Sequence, residues 1–295
     1  MAPGRREVVW AARGTMAFRV VAWCAVATVA IATLWIVAGP APTTCSDVPG
    51  GRIGTNFEVA AGRGYCLYWE TGMSPAPNLR SMHRLIRAAS RRAGRLTGTE
   101  EGPPIRVILV PSRARIREIV GREANGMTLR DGSILIVFTG EPNRLAIRHE
   151  MMHAVTRTRW PRSQASSWIL EGLAVLAGGQ CSGYTPRGIA AHLQARGELV
   201  PLDTLMARFG TLDEIAAHLT AASFAQFVHA TAGAAWLEAW WTDGVAGLHR
   251  FDGIGTDAEG AWLQYLADTD SRERFPSWER LPQGCGWVDG AVDAA

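Results

Sequence analysis

Apolar and polar positions follow a few distinct rhythms along this chain. The first stretch has no rhythm. Residues 20–38 (VVAWCAVATVAIATLWIVA) are uncharged and mostly apolar, enough at about 1.5 Å per residue for a helix to cross about 30 Å of hydrocarbon. Arg5, Arg6, Arg13 and Arg19 precede the stretch, and Gly39-Pro40-Ala41-Pro42 follows it. The positive flank predicts a cytoplasmic tail over 1–19, a transmembrane signal anchor over 20–38, and everything later outside the membrane. The alternative is a cleaved signal peptide and a secreted protein; the length of the run and the proline after Ala38-Gly39 argue against cleavage. Residues 39–56, rich in Pro, Gly and Thr without a period, read as a linker.

From 57 to 286 the pattern predicts an α+β domain. Residues 64–69 predict a strand. Within 78–96, Leu79, Met82, Leu85, Ile86 and Ala89 recur at helical spacing. Arg80, Arg84, Arg87, Arg91, Arg92 and Arg95 of that helix read as a solvated face, with anionic lipid as the alternative partner. Residues 105–110 (Ile-Arg-Val-Ile-Leu-Val) predict a strand, ended by Pro111-Ser112 and followed by a helix to about Gly121. Residues 126–129 and 133–138 flank Arg130-Asp131-Gly132, whose Asp-Gly supplies a positive-φ hairpin turn. Beyond Gly179, helices are expected over 186–196, 202–209, 212–231, 234–243 and 257–268, with Trp236, Trp240 and Trp241 as packing residues. His192, His218 and His229 show no ligand spacing among themselves. Residues 287–295 read as a frayed tail.

Charge adds little about partners. The tail through Arg19 has four Arg and one Glu, hence +3, which is the whole formal net charge of the chain. No basic surface for nucleic acid is implied. Cys24 lies inside the apolar run, leaving Cys45, Cys66, Cys181 and Cys285, an even number suited to an oxidising compartment. Cys45–Cys66 with Cys181–Cys285 is the simplest of three possible pairings, with free buried thiols as the alternative. No CxxC pair offers a zinc-binding alternative.

Candidate chemistry lies at His149-Glu150-Met151-Met152-His153. Residues i and i+4 share a helix face one turn apart, so both imidazoles can reach one cation, with Glu150 beside it. The flanks Ala146, Ile147, Ala154 and Val155 suit a buried helix, and Pro142 suits its first turn. A second helical segment follows, Ser167-Trp168-Ile169-Leu170-Glu171-Gly172-Leu173-Ala174, with Ser166 or Ser167 as cap and Gly178-Gly179 as stop. Glu171 is the only charged residue between Arg162 and Arg187. A lone carboxylate in an apolar helix is costly to bury unless it is paired or bound to metal.

HExxH followed by Trp-x-x-Glu-Gly-Leu-Ala resembles the gluzincin zinc metallopeptidases, and most closely the bacterial peptidase MA-like domains, over a motif core of about 100–245. The resemblance implies a zincin-like fold: a small sheet with an edge hairpin, an active-site helix and a helical C-terminal part. It implies one Zn2+ held by His149, His153 and Glu171, with Glu150 as the general base for a zinc-activated water that hydrolyses peptide bonds. Residues 133–138 would be the cleft-side edge strand that pairs with an extended peptide, and 221–228 the helix after the active site. Tyr184 and His229 are the expected oxyanion stabilisers, with Arg187 a further candidate. Val175 stands where the family often carries an acid that orients a ligand histidine; another acceptor, such as a backbone carbonyl, is then expected. That departure keeps open an alternative: a catalytically inactive zinc- or peptide-binding module at the membrane. The aminopeptidase pattern Gly-x-Met-Glu-Asn is absent, which favours an endopeptidase acting on peptide or protein substrates. Nothing in the residues speaks to oligomeric state.

Overall fold

The computed structural model describes Cys45 and residues 56–99, 104–141, 143–160, 165–181, 183–248 and 257–270. The expected cytoplasmic tail, apolar span, terminal tail and Cys285 lie outside these, as does the linker apart from Cys45 and Asn56. Among the described residues no helix is long and apolar enough to cross a membrane.

The described chain is a mixed α+β arrangement. Five strands, β1 (Phe57–Gly62), β2 (Tyr65–Glu70), β3 (Ile105–Val110), β4 (Gly126–Thr128) and β5 (Ile134–Val137), form one sheet in the order β1-β2-β3-β5-β4. The centre, β2, β3 and β5, is parallel, while β1 and β4 pair antiparallel at the two edges. Crossovers pass through α1 (Leu79–Thr97) and α2 (Arg113–Val120). The apolar run Val107–Val110 of β3 follows from burial on both faces. Val107 and Leu109 join the main core under the helices, whereas Ile108 and Val110 meet Ile116 and Ile119 of α2. On the α2 face Cys66 is disulfide-bonded to Cys45. Cys181 is also disulfide-bonded.

Two expectations about the sheet need correction. β1 is an additional strand whose residues are all partly buried or exposed, so its pattern carried no strong period. The cleft-side edge is β4 rather than residues 133–138. β5 lies between β3 and β4, because Ile134, Leu135 and Ile136 are fully buried and demand neighbours on both sides. At the hairpin tip Gly132 adopts φ 81° and donates its N–H to the Leu129 carbonyl, as the Asp-Gly reading expects.

The helical part comprises α3 (Arg144–Arg159), α4 (Ser167–Gly178), α5 (Pro186–Ala195), α6 (Leu202–Arg208), α7 (Glu214–Ala232), α8 (Ala234–Asp243), the short α9 (Val245–Leu248) and α10 (Ala258–Ala267). α3 starts at Arg144 under an Asn143 cap whose side chain accepts from Ala146 N; Pro142, expected in its first turn, lies outside the described residues. α4 packs against α3 and α7, and α1 lies along α3. Trp168 of α4 meets Phe224 and Trp240 edge-on or tilted in the core. Arg92 is not part of a solvated face: its Nε and Nη2 donate to the carbonyls of Ala177 and Leu176, while Arg148 Nη1 reaches that of Gly178. Two guanidinium groups thus satisfy the otherwise orphaned last carbonyls of α4 and complement its negative end.

Candidate metal centre and active site

α3 brings its polar face to a cleft of about 870 Å³ whose opposite wall is the edge strand β4. His149 and His153, one turn apart, present Nε2 atoms 3.1 Å from each other. α4 delivers Glu171, whose Oε2 lies 3.2 Å from His149 Nε2 and 3.6 Å from His153 Nε2. The sequence explains how this carboxylate arrives. A β-carbon at Gly172 would stand 2.8 Å from the Ala221 carbonyl oxygen, so α4 approaches α7 closely only because that position is glycine. With Trp168 and Leu173 buried in the core, Glu171 is turned into the cleft.

The donor set fits zinc. Bonds of 2.0–2.1 Å at tetrahedral angles separate neighbouring ligand atoms by about 3.3 Å. The three observed separations, 3.1, 3.2 and 3.6 Å, bracket that length. Two imidazoles and one carboxylate are also the donor types zinc prefers.

Electrostatics reinforce the cluster. Burial alone would raise the Glu171 carboxyl, but the charge on His153 and the contacts with His149, His153 and His218 hold it well below its usual range. Burial opposes a charge on His153, yet Glu171 outweighs it and pushes that imidazole upward, with a smaller contribution from Glu150.

Glu150 is buried in the same cleft. Thr128 Oγ1 on β4 lies 2.7 Å from its Oε2 and 3.0 Å from its main-chain oxygen. Val175 is fully buried among Cys181, Ile189, Leu193, Leu219 and Ala222. The backbone acceptor expected to replace an acid there is not found: His149 Nδ1 is buried without a hydrogen-bond partner among the described residues.

The structure does not bring the other candidates to this cleft. Tyr184 pairs backbone to backbone with Cys181, beside the apolar cluster around Val175. Arg187 donates to Thr269 Oγ1 and the Tyr265 carbonyl and lies over the Tyr265 ring, tying α5 to α10. His229 sits near the far end of α7, where burial and then Arg92 push it downward. The histidine that α7 does deliver is His218, eleven residues or about 16 Å earlier along the helix axis. Its Nε2 is 3.6 Å from Glu171 Oε2, its Nδ1 is 2.6 Å from the Glu214 carbonyl oxygen, and its ring packs on Phe209. Burial opposes its charge, but Glu171 pushes it upward. No short-range spacing marks His218; only the Gly172–Ala221 contact, three residues further on, places it beside Glu171.

No family's sequence model matches the chain, and no curated protein matches it. Among solved structures it is similar to an M1 zinc metallopeptidase from Deinococcus radiodurans, with 18% identity, 77% of this chain and 48% of that chain covered, and a TM-score of 0.39. A point mutant of an M1 zinc metallopeptidase from the same organism aligns at 16% identity over 83% of this chain and 54% of that one, with a TM-score of 0.43. A two-domain M1 zinc metallopeptidase mutant bound to L-tryptophan gives 17% identity, the same coverage and a TM-score of 0.42. The chain therefore spans about half the length of the structures it matches. A likeness at this level shows neither a shared family nor a shared reaction.

Proposed function

We propose that this chain is a zinc-dependent peptidase in which His149, His153 and Glu171 hold one ion and Glu150 is the general base. The observation that carries the reading is the triangle of two Nε2 atoms and one Oε2, spaced like three corners of a tetrahedron, in a cleft that also holds the Glu150 carboxylate. Zinc bound there supplies Lewis acidity and makes water an effective nucleophile near neutral pH. Glu150 accepts the proton of the attacking water and returns it to the leaving amine. His218, which gives its Nδ1–H to the Glu214 carbonyl and whose imidazolium form Glu171 favours, offers Nε2–H to the negative charge developing on the substrate oxygen, the role expected of Tyr184 or His229.

The substrate is an extended peptide or protein segment, cleaved internally. β4 supports this reading. Asn125 and Leu129 bond to Val137 and Ser133 on the β5 side, so by antiparallel alternation Gly126 and Thr128 turn their own N–H and C=O groups outward. An extended chain can add to that edge as a further strand.

The cleft lies outside the membrane in this proposal, with residues 20–38 as its anchor. The Cys45–Cys66 disulfide supports an oxidising location. Digestion of intact cells with an external protease checks the orientation; protection of the domain would overturn it.

One observation favours a second reading, a zinc-binding module without turnover: among the described residues no acceptor orients the Nδ1 of His149. The full-length protein in detergent separates the two. Metal content is measured, and a mixed peptide library is incubated with wild type and Glu150→Gln. One zinc per chain with cleavage by wild type alone is the expected result. Zinc without cleavage would sink the peptidase and leave the module; no zinc would sink both.

A further inference from the structure

We infer that Thr128 and Gly126 of β4 form a seat that positions Glu150, so that one strand registers both the base and the peptide it acts on. Its catalytic meaning rests on the peptidase reading above. Residues 126 and 128 have the same parity on the strand, and both face Glu150. The Thr128 hydroxyl has one proton and two acceptors in reach, Oε2 at 2.7 Å and the main-chain oxygen at 3.0 Å. The carboxylate oxygen, at the shorter distance, takes it.

Gly126 supplies space where Thr128 supplies a bond. A β-carbon at 126 would lie 2.8 Å from Glu150 Cγ and 3.2 Å from Oε1, so the side chain of Glu150 rests against a strand position that has to be bare. With Oε2 engaged by Thr128, Oε1 is the oxygen left for proton transfer. The outward N–H and C=O groups of these same two residues are the ones available to a substrate strand. Base and scissile bond are thereby referred to one short segment, which limits their relative displacement, and small misplacements of a base are costly. Thr128 and Gly126 are positioning residues in this scheme, acting through Glu150.

The test compares wild type with Thr128→Val and Thr128→Ser. Val keeps the shape and removes the donor; Ser restores the donor. Crystal structures of the three metal-free proteins should show the Glu150 carboxylate displaced in the Val variant and retained in the Ser variant. In peptide cleavage, Thr128→Val should lower kcat about 10- to 100-fold, a fraction of what a general base contributes. KM and zinc affinity should stay within about two-fold, and Ser should recover most of kcat. Gly126→Ala should displace Glu150 from the other side with the same kcat signature. An unmoved Glu150 in Thr128→Val, or equal loss in Val and Ser, overturns the inference. If wild type cleaves nothing, the peptidase reading falls, and the Glu150 positions in the three crystal structures still decide whether the seat exists.

Discussion

Gly172 on α4 and Ala221 on α7 touch so closely that a β-carbon at 172 would stand 2.8 Å from the Ala221 carbonyl oxygen. This contact sets how far Glu171, the preceding residue, enters the cleft. It also aligns α7 so that His218 meets the same carboxylate.

Gly172→Ala should therefore push α4 away from α7. Overpacking of this kind costs about 1–3 kcal/mol, and here it should lower zinc affinity as well, because Glu171 moves with the helix. Urea unfolding of the metal-free protein and chelator competition for zinc give the two numbers. Wild-type values for both would mean that this contact does not place Glu171.

Removing the two cleft glutamates should have separable effects. Glu171→Ala takes away one of three ligand atoms, and zinc affinity should fall by more than the roughly 10- to 100-fold typical of losing an outer partner. Glu150→Gln keeps the ligand triangle, so affinity should change only a few-fold while kcat drops about 10²- to 10⁴-fold. Zinc titration monitored with a competing chelator, followed by peptide cleavage, distinguishes the two variants.

His218→Ala should cost about 10²- to 10³-fold in kcat, the usual loss for one oxyanion donor, with zinc retained. His218 contacts Glu171 but stands outside the group of three mutually close ligand atoms. Complete loss of zinc in this variant would make it a ligand instead.

The metal-free cluster predicts a specific pH dependence of stability. Glu171 has a depressed folded pKa, so its contribution is present above its ordinary value of about 4.5 and is lost as pH falls through the lower folded value. His153 and His218 have raised folded pKa values, so theirs are present below about 6.5 and are lost as pH rises through the higher folded values. The metal-free protein should gain most from this cluster between about pH 4.5 and 6.5. Zinc requires neutral imidazoles, so its stabilisation grows with pH. Thermal unfolding with chelator and with zinc, from pH 5 to 8, should show a gap that widens upward. A gap independent of pH would argue that His153 does not exchange its proton for metal.

What the chain's order of residues determined by itself is local. Period and capping fixed the extents of most helices, Asp131-Gly132 fixed the hairpin turn, and the i, i+4 spacing put His149 and His153 on one face before any fold was known. Even the partnership with Glu171 was legible, because a single charge in an apolar helix marks itself. What only the tertiary structure decided depends on contacts between distant segments. Residues 133–138 looked as suitable for an edge as 126–128; the order of strands in the sheet is a matter of pairing, and it gave that edge to Gly126 and Thr128. Tyr184, His229 and Arg187 were as plausible as His218 by residue type. Which of them faces the cleft follows from helix packing, above all from a glycine that lets two backbones meet at Ala221. Spacing along a helix is encoded within a few residues, whereas the approach of α4 to α7 depends on groups about fifty positions apart.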